Sequence, residues 1–340
     1  MRKLLNILYI TRPNGYLKKD NLNLVVEVDG EEIFRIPIHN LEGVVTFGYL
    51  GASPGAMKLC VDNNVSLAFH TPTGKFIARA QGPTHGNVLL RRRQYLLADD
   101  KEFAVKLSRI MIAAKIQNYR NIVRRAIRDN GSNEDLENTA KRLDRYKNEA
   151  LKVDNTQTLI GVEGSAASEY FSVFPNMIIQ QQRDFPFAGR TKHPPVGRVN
   201  VLLSFVYTLI ANEMTSALDS VGLDPYVGFL HTLRPGRASL ALDMMEELRA
   251  YLGDRLVLSL INRRQITSSD FIQQSEDSIV LTENGRKTII SSWQERKKAE
   301  FTHPYLNEKI PIGLLPHVQA MLMARYLRGD LDNYPVFILK

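Results

Sequence analysis

The hydrophobic period of this chain changes once, and that change limits the folds open to it. Up to about residue 80 apolar residues alternate. Leu22, Leu24, Val26 and Val28 lie two apart, Asp29-Gly30 supplies a hairpin turn, and 33–38 runs back. Residues 44–47, 65–69 and 75–78 read as further short strands, punctuated by Gly48, Gly51, Gly55, Asn63-Asn64 and Thr73-Gly74. Residues 1–10 read as a strand too, because Thr11-Arg12-Pro13 follows where a signal peptide would carry small residues. From about residue 88 the period becomes helical. Val105, Leu107, Ile110, Ile112, Ile116, Ile122, Val123 and Ile127 form one apolar face with a basic face opposite. The pattern predicts an α+β chain: a small N-terminal antiparallel β domain over 1–87, then a larger all-helical domain over 88–340. A linker is expected near 82–90, at Gly82-Pro83-Thr84-His85-Gly86-Asn87. Within the second domain helices are expected to about 151 and over 164–174, 199–221 and 238–252. A proline-rich loop is expected at 181–197 and a hairpin at 279–289. A length of 340 residues suits two domains.

The charge is uneven. The net +8 divides into +2 over residues 1–90, +6 over 91–150 and zero over 151–340. Arg91-Arg92-Arg93 opens the basic stretch, and Arg120, Arg124 and Arg128 recur every four residues with no acidic residue between Glu102 and Asp129. Such a stripe is the footprint of a polyanion partner, or else a solvated helix face. Arg91, Arg92, Arg93, Arg120 and Arg124, with Arg190 and Arg237 further along, are the candidate DNA contacts.

Absences narrow the chemistry. The chain has no phosphate-binding loop ending in Lys-Ser/Thr, no Gly-x-Ser-x-Gly, no His-Glu-x-x-His and no paired cysteines. Its one cysteine, Cys60, has no basic neighbour closer than Lys58 and reads as a buried structural thiol. A single cysteine suits a reducing cytoplasmic compartment. The least interrupted apolar stretch, 199–212, is too short for a membrane span.

Acidic groups and a histidine in apolar surroundings remain. Glu163 stands among Gly161, Gly164, Ser165, Ala166 and Ala167, where small side chains permit close approach. His231 ends the apolar run 226–230. Asp243 and Glu246 are three apart and share a helical face, with Glu247 about 100° further round. Each has a plainer reading: Glu163 as a carboxylate at a helix N-terminus, His231 as a hydrogen-bonded structural residue, the acidic pair as a solvated face. Together, an imidazole and carboxylates without sulfur would suit Mg²⁺ or Mn²⁺.

Several motifs carry a resemblance. Glu163-Gly164-x-Ala166 with Tyr170-Phe171, Phe187-Ala188-Gly189-Arg190, Pro194-Pro195 and Val199-Asn200-x-Leu202-Leu203-Ser204-Phe205-x-Tyr207 form the first group. Gly228-Phe229-Leu230-His231, 239–246, 262–265, Gln319-Ala320, Leu327-Arg328-Gly329-Asp330 and Tyr334-Pro335 form the second. This set resembles the CRISPR-associated adaptation integrase, the endonuclease subunit common to spacer-acquisition systems. The resemblance implies metal ligands at Glu163, His231 and Glu246, with Asp243 close to the metal. Where the family pattern expects Asp after Pro-Pro, this chain has Gly197-Arg198. It implies Mg²⁺- or Mn²⁺-dependent insertion of short DNA fragments into a CRISPR array. It also implies a homodimer, two copies of which flank a dimer of a small ferredoxin-fold partner. A nonspecific DNA-repair nuclease and a catalytically silent nucleic-acid-binding scaffold stay open as alternatives.

Overall fold

The computed structural model describes residues 7–72, 76–80, 88–131, 133–191, 194–275 and 278–338. Residues 1–6 of the expected first strand and 82–87 of the expected linker lie outside that set. The N-terminal region contains β1 (Ile7–Ile10), β2 (Gly15–Asp20), β3 (Asn23–Val28), β4 (Glu31–Pro37), β5 (Gly43–Phe47), α1 (Pro54–Asp62), β6 (Ser66–His70) and β7 (Phe76–Ala80). β2, β3 and β4 form an antiparallel sheet. Asp29 and Gly30 both adopt the positive φ that the tight β3–β4 turn demands, 54° and 86°.

The second sheet has the order β1-β5-β6-β7, and only its β6–β7 pair is antiparallel. The β1–β5 and β5–β6 pairs are parallel, which corrects the all-antiparallel expectation in this sheet. Parallel neighbours need a crossover, and α1 carries the one from β5 to β6. In the sequence α1 looks like loop because it opens on Pro54-Gly55. Proline at the first helical turn costs no hydrogen bond, and Ser53 caps the helix by accepting from the Ala56 N–H at 3.2 Å. Cys60 is buried on α1, and burial pushes its thiol up to about 12, so it is inert at neutral pH.

Helices follow: α2 (Val88–Asp99), α3 (Lys101–Asn130), α4 (Glu134–Ala150), α5 (Thr156–Ser172), α6 (Arg198–Val221), α7 (Ser239–Met245) and α8 (Arg255–Asn262). The chain ends with β8 (Phe271–Ser275), β9 (Ser278–Leu281), α9 (Glu283–Lys298), β10 (Glu300–Thr302), β11 (Lys309–Pro311) and α10 (Leu315–Arg328). The hairpin expected at 279–289 lies earlier, at β8–β9, and Thr282 instead caps α9 by accepting from the Gly285 N–H. The helix expected over 238–252 is α7 followed by a π-helical turn, Arg249–Asp254. α5 begins eight residues before 164 because Asn155 caps it.

Two cores form. Leu17, Leu24, Val26, Val44 and Leu67 fill the smaller one, inside the N-terminal region. Val45 and Phe47 point the other way and join the larger core, where Phe47 stacks on Phe205 of α6 at 5.7 Å. α6, 24 residues long, does pass for a membrane span by length and composition, which corrects the shorter apolar stretch read at 199–212. Two thirds of its most apolar window is buried inside the fold. Glu213 does not break it, because the carboxylate accepts from Trp293 Nε1 at 3.0 Å and pairs with Lys297 at 2.6 Å.

Candidate active site

α3 places Lys115 on the stripe Met111, Lys115, Tyr119, Ile122 and Ala126, one turn apart and all buried. Lys115 is only 2 % exposed. An ammonium there needs anions, since unpaired it would carry the full cost of leaving water. It has two. Glu163 of α5 forms an ion pair with it, and Glu246 Oε2, just past α7, lies 2.6 Å from Lys115 Nζ. Arg249 holds the other Glu246 oxygen at 3.0 Å. Burial raises the Glu246 carboxyl, but Arg249, Lys115 and His231 outweigh it and hold it down to about 2. Glu163 sits in mid-helix, half-buried, so the reading as a helix N-terminal carboxylate fails.

His231 is set by Asp243. Asp243 is fully buried, and its oxygens accept from the backbone N–H groups of Phe229 (2.6 Å), Leu230 (2.9 Å) and His231 (3.0 Å). The imidazole Nδ1 donates to Asp243 Oδ1 at 2.6 Å, which leaves Nε2 as the ring's lone pair. Gly228 makes this approach possible: a Cβ there would come 2.5 Å from Asp243 Oδ2 and 2.8 Å from the Ser239 carbonyl carbon. With four hydrogen bonds filling both oxygens, Asp243 positions the histidine and has no oxygen left for an ion.

Glu247 faces elsewhere. It accepts from Gln319 Nε2 (2.9 Å), the Tyr334 hydroxyl (2.5 Å) and the Phe337 N–H (2.6 Å), and burial pushes its carboxyl up to about 7 despite these donors. The Gln319 and Tyr334-Pro335 motifs therefore converge on Glu247 and tie down the C-terminal segment.

A cavity of about 360 Å³ is lined by Lys115, Tyr119, Glu163 and Gly164 together with Arg190, Tyr207 and Arg249. The Arg190 and Arg249 guanidiniums both lie against the Tyr207 ring, 5.5 and 5.1 Å from its centroid. Arg190 also donates to Asn200 and Ser204 at 3.0 Å, so the loop over 181–197 is pinned at the cavity. The sequence reading does not single out Lys115 or Arg249, and marks Tyr207 only as part of a motif. Lys115 left a signal, as the lone charge on a buried stripe of α3.

The other candidate arginines scatter. Arg91 is partly exposed and Arg92 and Arg93 exposed on α2; Arg124 is exposed on α3, and Arg237 lies in the turn before α7. Arg120 donates to the Ala140 carbonyl at 3.2 Å and pairs with Asp144 at 3.5 Å, tying α3 to α4. The stripe is thus partly neutralised by acids from elements remote in sequence.

Among the described residues no three His, Cys, Asp or Glu side chains lie close enough to hold an ion together. The chemistry of the donor set nevertheless fits a divalent cation. Two carboxylates share one cationic partner, and the nearby His231 offers Nε2. Lys115 is the competing cation.

The family model described as CRISPR associated protein Cas1 matches residues 8–295. The chain belongs to the Cas1 family. It is 45% identical over 341 residues to the CRISPR-associated endonuclease Cas1 1 of Chlorobaculum tepidum, covering 99% of both chains. Its fold is similar to that of a casposase bound to integration product, with TM-score 0.83 and 22% identity, over 96% of this chain and 92% of that one. It is similar also to a chain of a Cas6-RT-Cas1–Cas2 complex, with TM-score 0.85 and 23% identity, over 100% of this chain and 37% of that one. These likenesses show a shared fold.

Proposed function

We propose that the protein is a Mg²⁺- or Mn²⁺-dependent DNA integrase and endonuclease that inserts short DNA fragments into a CRISPR array in the cytoplasm. One observation carries this reading: two carboxylates from separate helices, Glu163 and Glu246, meet at one buried cation, Lys115. A histidine of fixed tautomer completes the donor set. Glu163, Glu246 and His231 would hold the ion, which when bound supplies Lewis acidity to the phosphoryl oxygens.

The chain's own residues do the rest. A free DNA 3′-OH attacks a phosphodiester and another 3′ hydroxyl leaves, so the reaction needs neither ATP nor a side-chain nucleophile. Arg190 and Arg249, held against Tyr207, offer fixed positive charge to the crowded phosphate. Asp243 keeps a proton on Nδ1 of His231 and so keeps Nε2 free. The exposed arginines of α2 grip the backbone of the duplex without reading bases.

Two integration points call for more than one protomer. Ile33 and Phe34 on the edge strand β4, with Tyr49 and Leu50 nearby in sequence, are exposed apolar groups that support a homodimer through the N-terminal region. The likeness to a chain of a complex that contains Cas2 supports a partner protein, and the family resemblance implies that this partner is small and ferredoxin-like. The test is to incubate protein and partner with a supercoiled array plasmid and a labelled fragment. Covalent joining of label to plasmid supports the integrase. Nicking alone would make it a nuclease, and a mobility shift alone a scaffold.

A further inference from the structure

The stripe of α3 that carries Lys115 and Tyr119 runs on through Ile122 and Ala126 into a second cavity, of about 310 Å³. Four arginines converge there: Arg125 of α3, Arg255 of α8, Arg263 just beyond α8, and Arg296 of α9. Tyr251, in the π-helical turn, lies under two of them. The Arg255 and Arg296 guanidinium carbons are 5.1 and 5.3 Å from its ring centroid, and Arg296 donates to its carbonyl at 2.5 Å. Arg296 Nε is a buried donor without a partner.

Counter-charge is short. Asp129 accepts from Arg125 at 3.0 Å and from Arg128 at 3.1 Å and its charge also reaches Arg255, so one carboxylate is shared among several guanidiniums. Among the described residues no carboxylate pairs with Arg255, Arg263 or Arg296. Burial lowers the Arg255 and Arg296 guanidiniums, the latter to about 10, and mutual repulsion among Arg125, Arg255 and Arg296 adds to the effect. Gathering cations at such cost is sensible where an anion completes the site, and a guanidinium fork matches phosphate oxygens. Lys115 and Arg125 are ten residues apart on α3, roughly 15 Å along its axis, a distance that spans only a few nucleotides of a strand.

We propose that this arginine cavity is a second phosphate site, which takes a phosphodiester of the DNA a few nucleotides from the reacting centre. It rests on the DNA-integrase reading above for its ligand, though not for the cavity itself. Free inorganic phosphate has the same chemistry, so two measurements separate the sources.

The first is thermal unfolding of the full chain in phosphate against chloride at equal ionic strength. The second is DNA affinity across a salt series. Wild type is compared with Arg255→Gln/Arg296→Gln, with the charge-preserving Arg255→Lys/Arg296→Lys, and with the single Arg125→Gln and Arg263→Gln changes at exposed positions. The expected result is that phosphate raises the wild-type midpoint and not that of the Gln pair. The slope of log affinity against log salt should also flatten by about 0.9 for each DNA phosphate that the variant no longer neutralises, with the Lys pair near wild type. Abolished phosphate stabilisation with an unchanged DNA slope would make free phosphate the ligand and overturn the DNA assignment. A Gln pair that melts higher and binds DNA like wild type would reduce the cluster to a structural strain. Should the Gln pair fail to fold, unchanged slopes in both single variants overturn the proposal. A wild type that binds no DNA sinks the integrase reading and this ligand together, while the phosphate melt still reads the cavity.

Discussion

Glu246 and Glu247 are neighbours in sequence and opposites in the fold. Both are buried, yet Glu246 stays ionised at about 2 while Glu247 rises to about 7. The difference lies in the company each keeps. Glu246 is met by full charges, Arg249 and Lys115, whereas Glu247 is met by neutral donors: an amide, a phenol and a backbone N–H. In a medium of low dielectric only the charges repay the desolvation of a carboxylate. One side of the helix end is therefore kept charged and ion-paired. The other side fastens the C-terminal segment. Adjacent carboxylates thus divide into one bound by charges and one bound by neutral donors.

The largest break in that contrast should come from the ligands. Alanine at Glu163, His231 or Glu246 should lower strand transfer by at least ~100-fold while the protein still folds and binds DNA. Alanine at Glu247 should instead lower stability, with joining per folded molecule retained. Near-normal joining by His231→Ala would remove the imidazole from the site. A smaller loss, on the order of 10- to 100-fold in metal affinity, is expected for Asp243→Asn, which upsets the proton on Nδ1 while keeping the side chain's size. Direct titration with Mn²⁺ measures it. Unchanged affinity would mean that His231 holds its ring orientation without help.

How much of the molecule is legible in the sequence follows the same division. The change of period places the β region and the long helices, because alternation and three-to-four spacing are local. α1 is hidden, since Pro54-Gly55 reads as a break although proline is harmless in a first helical turn. The parallel pairs of β1-β5-β6 are equally invisible, because strand direction depends on which strands meet. At the site, Glu163, His231 and Glu246 stand out as polar groups in apolar runs. Lys115 does not, because its partners Glu163 and Glu246 lie 48 and 131 residues away, and the contact of Arg249 with the Tyr207 ring joins residues 42 apart. Arg120 looks like part of a free stripe until α4 brings Asp144 to it.

Glu247 gives the contrast a pH dependence. Its folded value, about 7, lies above the usual carboxyl value of 4.5. Between those values the folded chain binds more protons than the unfolded one, so this group's contribution to stability falls as pH rises from about 4.5 to 7. At about 1.4 kcal/mol per unit the effect is on the order of 3 kcal/mol, an upper bound because other groups titrate in the same window. Glu247→Gln should flatten that part of the curve of unfolding free energy against pH. A Gln variant with the wild-type slope would place the proton elsewhere.

The smallest effect tests whether Lys115 is a stand-in for the ion. Lys115→Met keeps length and apolar contact but removes the ammonium from between Glu163 and Glu246. Two facing carboxylates then repel, Arg249 satisfying only one of them, and a divalent ion relieves more strain than it does in wild type. Metal-free Lys115→Met should unfold more easily, and Mn²⁺ should raise its midpoint by more than it raises that of wild type. Affinity measured by titration should tighten severalfold, less than the loss expected for any ligand. The same change should leave the Glu247 side untouched, so the pH slope of the unfolding curve should persist. Equal Mn²⁺ shifts in the two proteins would show that Lys115 and the ion do not compete, and that Lys115 is fixed scaffolding for both carboxylates.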